Sequence, residues 1–181
     1  GVEWQSNTSP NNNSYTVQWG QSPLTLGNGN RLFPTTTDTG LSNLSNNTQY
    51  DVYVAEACGS GDTSAYTDAL TGCTKATVKY TTDFSSGSFP DCWSGSGQVN
   101  SSCDGRSNVL SLSNGEMATS NEVNASNSQS VTVTYYWGLG ACSGQSFSGD
   151  TLKIQWYNGK DWITEKTYAG AQSSLTKDSF D

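Results

Sequence analysis

The sequence contains no histidine and few charged residues, and both shortages restrict what the protein can do. Without histidine, catalysis by a serine–histidine pair is excluded, and a zinc site lacks one of its two usual ligands. Charged residues make up 13% of the chain, and the net charge is −8. Nucleic acids and anionic lipids attract basic surfaces, so we expect this acidic chain to bind neither.

Long apolar runs are also absent, since none approaches the roughly 20 residues that a membrane span needs. We therefore expect no membrane insertion. The five glutamates show no motif that ties two of them together as a pair of catalytic carboxylates. The sequence therefore predicts a protein that is not an enzyme. Its length of 181 residues allows one large β domain or two small ones.

The residues that are present favour β-strands. Apolar side chains alternate with polar ones in short runs bounded by Gly, Asn, Ser or Pro, and no stretch has a helical period. Two such runs contain Tyr15, Val17 and Trp19, and Leu152, Ile154 and Trp156. The pattern predicts an all-β protein of the sandwich or jelly-roll type.

The question of a sugar-stacking surface is raised by four tryptophans, Trp93, Trp137, Trp156 and Trp162, and by Tyr136. Trp137 and Trp156 are in phase with the apolar faces of their strands, which predicts that they belong to the core. Trp162 and Tyr136 fall out of phase with those faces. We therefore take Trp162 and Tyr136 as the candidate ligand-binding residues, with glycans as the candidate ligand.

The cysteines indicate structural disulfides. No Cys-x-x-Cys pair occurs, and the five residues are Cys58, Cys73, Cys92, Cys103 and Cys142. Disulfides form in oxidising compartments, which predicts an extracellular or cell-surface protein. An odd number leaves one thiol either free or bonded to another chain.

A family resemblance appears in residues 41–50, which read LSNLSNNTQY. This run resembles the fibronectin type III signature Leu-x-x-Leu-x-Pro-x-Thr-x-Tyr, with Asn46 at the proline position. The resemblance covers residues 1–74 and implies a sandwich domain in which Tyr50 forms the tyrosine corner, its hydroxyl bonding to upstream backbone. It also implies that Trp4 is the core tryptophan.

The same resemblance implies a first strand before Val2, for which the sequence has no residues. Two explanations stay open for this edge: either the sequence was cut before Val2, or a neighbouring chain supplies the strand. Cys58 and Cys73 fall on what would be adjacent final strands, and we expect them to form a disulfide worth roughly 3 kcal/mol in the chain-entropy model.

Residues 80–93, YTTDFSSGSFPDCW, resemble the opening of jelly rolls of the MAM and reelin-repeat type. The likeness implies a jelly-roll domain over residues 75–181, with its last strands absent, and a disulfide between Cys103 and Cys142. Cys92 is then the free or intermolecular thiol; a Cys92–Cys103 disulfide is the alternative. Residues 157–160, Tyr-Asn-Gly-Lys, predict a type I′ hairpin turn.

Two further kinds of site are predicted on loops. Asp83, Asp150 and Asp161 are candidate ligands for a structural Ca²⁺, which prefers several oxygen ligands; no other cofactor is expected. N-glycosylation requires Asn-x-Ser/Thr. Six such sequons occur, at Asn7, Asn12, Asn43, Asn46, Asn100 and Asn124.

These observations lead to one functional hypothesis and two alternatives. The first is a non-catalytic structural or adhesive unit of a secreted or cell-surface assembly, such as a fibre subunit completed by strands from its neighbours. Its partners would be copies of itself or other surface proteins. The alternatives are a carbohydrate-binding accessory module of a larger secreted protein and a receptor ectodomain with a protein ligand.

Overall fold

The computed structural model describes residues 1–6, 14–59, 62–140 and 149–181, with the backbone alone at 58–59 and 100–101. The described residues form strands joined by turns and irregular segments, and they contain no helix. The predicted all-β class is therefore confirmed. No helix in this part of the chain is long and apolar enough to cross a membrane.

The described residues contain seventeen strands, most of them short. In chain order they are β1 (Val2–Glu3), β2 (Tyr15–Gln21), β3 (Asn30–Leu32), β4 (Asp38–Thr39), β5 (Gln49–Gly59), β6 (Asp62–Thr63), β7 (Leu70–Cys73), β8 (Ala76–Thr77), β9 (Ser94–Gly95), β10 (Gln98–Cys103), β11 (Arg106–Ser111), β12 (Ala118–Thr119), β13 (Val123–Asn124), β14 (Val133–Trp137), β15 (Thr151–Tyr157), β16 (Trp162–Ala169) and β17 (Thr176–Phe180).

The chain divides into two compact units. The first comprises residues 1–77 together with 121–123, and the second comprises 78–120 together with 124–181. Hydrogen bonds hold the returning segment in the first unit. The Asn121 side-chain amide donates to Asn47 Oδ1 and to the Thr74 carbonyl, each at 2.8 Å. The Ala76 amide donates to the Glu122 carbonyl at 2.8 Å. No sequence signal indicated this return.

The described residues of the first unit contain two antiparallel sheets and, where the returning segment joins the unit, the short pairing of β8 with β13. One pairs β1 with β4, and the other has the order β3-β2-β5-β6, with β7 also paired to β5. The longest pairing joins β2 to β5 over seven residue pairs, from Tyr15 opposite Glu56 to Gln21 opposite Tyr50. β5 is thus the central strand, because it is bonded to β2 on one edge and to β6 and β7 on the other.

The core of the first unit lies between these sheets. Tyr15, Val17 and Trp19 of β2 alternate as predicted, and they pack with three residues of β5 in one buried cluster. Val2, Trp4, Leu32, Leu41 and Leu44 pack against it from β1, β3 and the loop before β5. The two sheets therefore face each other as a sandwich, and Trp4 contacts the core as the resemblance implied.

The outer face of β2 is buried as well, which simple alternation does not predict. Gln18 of β2 and Asp51 of the neighbouring strand β5 are both nearly inaccessible to solvent. Residues 22–29 are bonded to this face: Gly27 N donates to Gln18 Oε1 at 3.1 Å, and Leu24 N donates to Asp51 Oδ2 at 2.9 Å. The Tyr53 hydroxyl donates to the Leu24 carbonyl at 2.8 Å. The Gln18 side-chain oxygen is therefore buried with a hydrogen-bond donor, whereas its Nε2 is buried without a partner among the described residues.

Tyr50 forms the predicted bond to upstream backbone. The Ser45 amide donates to its hydroxyl at 2.9 Å, and the ring lies in the core cluster. The bond ties the loop before β5 to the start of that strand. The expected tyrosine corner is confirmed as a contact, with the hydroxyl acting as acceptor.

The described residues of the second unit form four antiparallel pairs of strands. They are β9 with β12, β10 with β11, β14 with β17, and β15 with β16. β10 and β11 form a hairpin whose turn residues, Asp104 and Gly105, both have positive φ values, 50° and 72°. Trp137 of β14 stacks on Tyr168 of β16 at 3.7 Å between ring centroids. Trp137 therefore packs inward, on the face that was predicted for it.

The hairpin turn between β15 and β16 was predicted, but the predicted type I′ geometry was wrong. Tyr157 pairs with Trp162, so the loop has four residues, 158–161. Asn158 Oδ1 accepts bonds from the amides of Lys160 and Asp161 at 2.8 and 2.7 Å. Type I′ needs positive φ at both central residues, and of Asn158 and Gly159 only Gly159 has it. The Asn158 side chain takes over as acceptor for two loop amides.

The predicted disulfide between Cys58 and Cys73 is wrong because of the strand register. Cys73 pairs with Gln49, the first residue of β5. Cys58 lies near the other end of the same strand, which puts it on the order of 30 Å from Gln49 at ~3.4 Å per residue. Bonded cysteines have Cα atoms less than about 7 Å apart.

Cys73 is bonded to Cys92 instead. The prediction of a free or intermolecular thiol at Cys92 is therefore wrong, and so is the alternative pair of Cys92 with Cys103. Cys103 is disulfide-bonded and buried. Its predicted partner, Cys142, lies outside the described residues, so that pairing stays a prediction.

Candidate binding sites

An apolar groove runs beside β1 in the first unit. Its lining comes from β1 with Trp4, from residues 67–70, and from Val52 and Val54 of β5; we call the first two stretches its walls and the third its floor. The groove encloses ≈ 220 Å³, and we call it the β1 groove. Residues 67–70 are held as a wall because Thr67 N donates to the Val54 carbonyl at 2.8 Å, and the Thr67 hydroxyl accepts from Val54 N at 3.1 Å.

The β1 groove lies next to a strand edge that is open within the described residues. β1 pairs with β4 alone, through Val2 opposite Thr39 and Glu3 opposite Asp38. An unpaired edge offers a row of backbone donors and acceptors to another strand. An open edge beside an apolar groove can therefore accept an extended segment, which would pair its backbone with β1 and bury alternate side chains.

Two carboxylates belong to the lining of the β1 groove. Glu3 comes from the β1 wall and Asp68 from the opposite wall, and both are exposed. No basic residue is among the lining residues. Carboxylates on both walls favour an occupant that carries a lysine or arginine.

The second candidate site is the end of the hairpin formed by β15 and β16. Four large side chains there remain substantially exposed: Trp156 at 44%, Tyr157 at 53%, Trp162 at 49% and Ile163 at 37%. We call these four residues the hairpin end. The prediction that Trp156 is a core residue is wrong: it has the phase of Leu152 and Ile154, but they are half-buried and it is not. Exposed apolar clusters of this kind mark interaction sites.

The two faces of this hairpin differ in chemistry. The half-buried residues Leu152 and Tyr168 are opposite each other and define the inner face. The outer face begins with Tyr157 beside Trp162, whose ring centroids are 5.3 Å apart with planes inclined by 46°. The side chains that follow along the outer face are polar and exposed, in the cross-strand pairs Gln155 with Thr164 and Lys153 with Thr167.

The two predicted ligand-binding residues are both exposed, yet they do not share a site. Tyr136 lies on β14 between Tyr135 and Trp137, which contact Tyr168 of β16. Because side chains alternate along a strand, Tyr136 points away from β16. Its ring instead lies 3.7 Å from the guanidinium carbon of Arg106. Trp162 contacts Tyr157 at the hairpin end.

A polar network links three strands of the second unit. The Tyr168 hydroxyl donates to Asp178 Oδ2 at 2.5 Å and is also bonded to the Tyr135 hydroxyl. Burial and the bond to Asp178 raise the pKa of Tyr168. The bond from Tyr168 and the Ser179 amide lower the pKa of Asp178, and Lys166 Nζ lies 4.0 Å from its carboxylate. These shifts favour a neutral phenol and a charged carboxylate, an arrangement that stabilises the fold.

Asp51 is the corresponding carboxylate of the first unit. Thr71 Oγ1 donates to its Oδ1 at 2.7 Å, and Leu24 N donates to its Oδ2. These two bonds, in that order of importance, lower the pKa of Asp51 although burial opposes them. The carboxylate therefore joins β5 to β7 and to the loop after β2.

The three candidate calcium ligands are not gathered into a site. The described part of the chain has no group of three or more Asp, Glu, Cys or His side chains that could hold a metal ion. Asp83 Oδ1 accepts a bond from the Ser85 amide two residues on, which also lowers the pKa of Asp83. Asp150 and Asp161 are exposed loop residues.

The sequons differ in their surroundings. Asn43, Asn46 and Asn124 have exposed side chains, and Asn43 has a positive φ of 58°. Asn100 lies within β10, where it pairs with Val109. Asn7 and Asn12 lie outside the described residues. Glycans attached at the first three positions would extend into solvent.

Each candidate site contains residues that the sequence pattern did not indicate. Trp162 was predicted, but Tyr157 was not, although a four-residue loop over 158–161 makes the two residues a cross-strand pair. Ala69 and Leu70 of the β1 groove carried no signal, because their role depends on which strand edge they lie beside.

Comparison with known proteins adds no relative: no protein-family model matches the chain, and neither a curated protein nor a solved structure does.

Proposed function

We propose that the chain is a non-catalytic structural or adhesive unit of a secreted or cell-surface assembly, joined to its neighbour by strand addition at β1. The observation that carries this proposal is the open edge of β1 beside the β1 groove. Main-chain bonds to an added strand supply affinity, and the groove supplies specificity through the side chains that it accepts.

The occupant is an extended segment of a neighbouring chain, with apolar side chains at alternate positions and a lysine or arginine. Alternate apolar side chains would face Val52 and Val54 on the floor of the groove. The basic residue would pair with Glu3 or Asp68 on the walls. An acidic segment would meet repulsion from both carboxylates, which the net charge of −8 reinforces.

Two further observations support an extracellular assembly unit. The disulfides fit an oxidising compartment. The Tyr50 contact and the packing of Trp4 support the resemblance to fibronectin type III modules. The jelly-roll resemblance of the second unit, which begins with residues 80–93, stays a prediction.

Fusion of a donor strand to the full chain tests the proposal. A segment of alternating valine and threonine with a lysine at each end is joined to Gly1 through a flexible Gly/Ser linker, which makes its binding intramolecular. We expect the melting temperature of the first unit to rise by about 4–8 °C, or ~1 kcal/mol for a unit of this size.

Matched fusions test separately the backbone hydrogen bonds of the donor strand and the charge of its lysines. Proline at every threonine position removes backbone donors and should abolish the gain, while glutamate in place of both lysines should reduce it. Ala69→Arg replaces a small exposed wall residue by a charged one and should also remove the gain. Equal gains from all donors, or no gain from any, would overturn the proposal.

If the neighbouring chain is another copy, the unfused protein should sediment as oligomers that grow with concentration. Ala69→Arg should return it to the monomer. Leu112→Arg, at an exposed apolar position of the second unit, is the matched control and should leave the oligomers unchanged. Association that is insensitive to Ala69→Arg would contradict strand addition at β1.

A further inference from the structure

The outer face of the β15–β16 hairpin carries a combination of groups that strand addition at β1 does not use. At its end stand two exposed rings, Tyr157 and Trp162, in contact with each other. Exposing two large rings side by side costs free energy unless a ligand covers them. Their contact also restricts both side chains, which lowers the entropy lost when a ligand binds.

Next to the rings lies a pair of neutral hydrogen-bonding side chains. Gln155 Nε2 donates to Thr164 Oγ1 at 2.9 Å, and both residues are exposed. The bond fixes the amide and leaves the Gln155 oxygen as an acceptor and the Thr164 hydroxyl hydrogen as a donor. Lys153 and Thr167 form the next pair, so a charged side chain appears only at the far end of this row.

We infer that this outer face binds carbohydrate, with a pyranose ring against Trp162 and Tyr157 and its hydroxyls bonded to Gln155 and Thr164. One face of a pyranose presents C–H groups that pack on aromatic rings, while its edge presents hydroxyls that need partners. The face has the same order of groups, apolar rings and then a neutral amide and hydroxyl. A protein partner would instead favour a continuous apolar centre with a polar rim.

The charges select neutral sugars over acidic ones. Lys153 is the one cation among the outer-face pairs, and the exposed Glu165 stands at the register shift beside Thr164. The chain as a whole repels anions, since its net charge is −8. Oligosaccharides without carboxylate or sulfate groups are therefore the expected ligands.

The same hairpin supplies a matched control. Trp156 is adjacent to Tyr157 and nearly as exposed as Trp162, but it has the phase of the inner face. Removing its ring changes the apolar area and tryptophan content by the same amount as removing that of Trp162. A difference between the two variants therefore reports on the outer face alone.

The test uses the full chain on a printed array of neutral and acidic oligosaccharides, followed by calorimetric titration of the neutral oligosaccharide that gives the strongest signal. Trp162→Ala and Tyr157→Ala should each weaken binding by about tenfold or more, which corresponds to ~1.4 kcal/mol. Gln155→Ala should weaken it by a smaller factor. Trp156→Ala and Tyr136→Ala should change the affinity by no more than about twofold. That factor corresponds to about 0.4 kcal/mol, the size of effect expected from a surface substitution outside the site.

Three results would overturn the inference. They are an array without a neutral ligand, equal losses from Trp156→Ala and Trp162→Ala, and binding that only acidic sugars show. Hydrogen exchange in the peptides of β15 and β16 establishes that each variant keeps the hairpin. Failure here leaves the β1 proposal intact, because no residue of the outer face lines the β1 groove.

Discussion

The two units of this protein are stabilised in different ways. The first has a cluster of six buried side chains from β2 and β5, with five more packed against it. In the second, Cys103 is the one buried side chain among the described residues. Its strands are instead linked by hairpin pairing, by aromatic contacts such as Trp137 on Tyr168, and by the disulfide of Cys103.

The difference extends to what each unit offers a partner. The packed first unit presents a backbone edge and a groove, so its recognition would depend on strand geometry. The second unit leaves large rings exposed at the hairpin end, so its recognition would depend on side-chain chemistry. One chain thus contains a unit with a buried core and a unit with exposed aromatic side chains. Substitutions in each unit can show how much its packing contributes to the free energy of unfolding.

The largest expected effect is the removal of a core tryptophan. Trp19 is 7% exposed within the core cluster of the first unit, and Trp19→Ala should cost about 3–5 kcal/mol through lost burial and a cavity. Trp156→Ala in the second unit removes the same ring from an exposed position and should cost less than about 1 kcal/mol. Urea unfolding with hydrogen exchange resolved by peptide measures each unit separately.

The same two variants can show that the two units are not stabilised differently. Comparable losses from Trp19→Ala and Trp156→Ala would show that the hairpin end is packed in solution. A loss from Trp19→Ala that spreads equally to peptides of the second unit would show that the two units unfold together. Neither result agrees with a core confined to the first unit.

The next effect concerns the carboxylate of each unit. Asp51→Asn removes an acceptor for Thr71 and Leu24 in a buried position of the first unit, and should cost about 1–3 kcal/mol. Asp178→Asn disturbs the bond from Tyr168 at a more exposed position of the second unit, and should cost less.

The pH dependence follows from the same pair. Both pKa values are lowered in the folded protein. Their stabilisation is therefore fully present above the unfolded value of about 3.9 and is lost as the pH falls through the lower, folded value. Melting temperatures of the first unit between pH 7 and pH 2 should fall less steeply for Asp51→Asn. An unchanged slope would contradict the role of Asp51.

Parts of the fold were predictable from the sequence where the local pattern of apolar residues matches the residues that are buried. The alternation of Tyr15, Val17 and Trp19 places those residues in the core of the first unit. The run ending at Tyr50 predicted a contact that the structure contains. In both regions, residues close in sequence determine the geometry.

The errors arose where distant segments decide the outcome. Trp156 has the phase of a core residue, yet its exposure depends on how far the inner face of the hairpin is covered. The pairing of Cys73 depends on an antiparallel register that places it at the start of β5. Gln18 is buried because residues 22–29 are bonded over β2, which alternation alone cannot indicate.

The smallest expected loss of stability follows from removal of the Tyr50 hydroxyl. Because the ring stays in the core, this change measures the hydrogen bond separately from the packing of the first unit. Tyr50→Phe keeps the ring in the cluster but removes the acceptor for the Ser45 amide, and should cost about 1 kcal/mol. Tyr136→Phe is the control in the second unit, where the ring under Arg106 stays and the cost should be near zero. If hydrogen exchange at Ser45 is not faster in Tyr50→Phe, the bond does not hold the loop before β5.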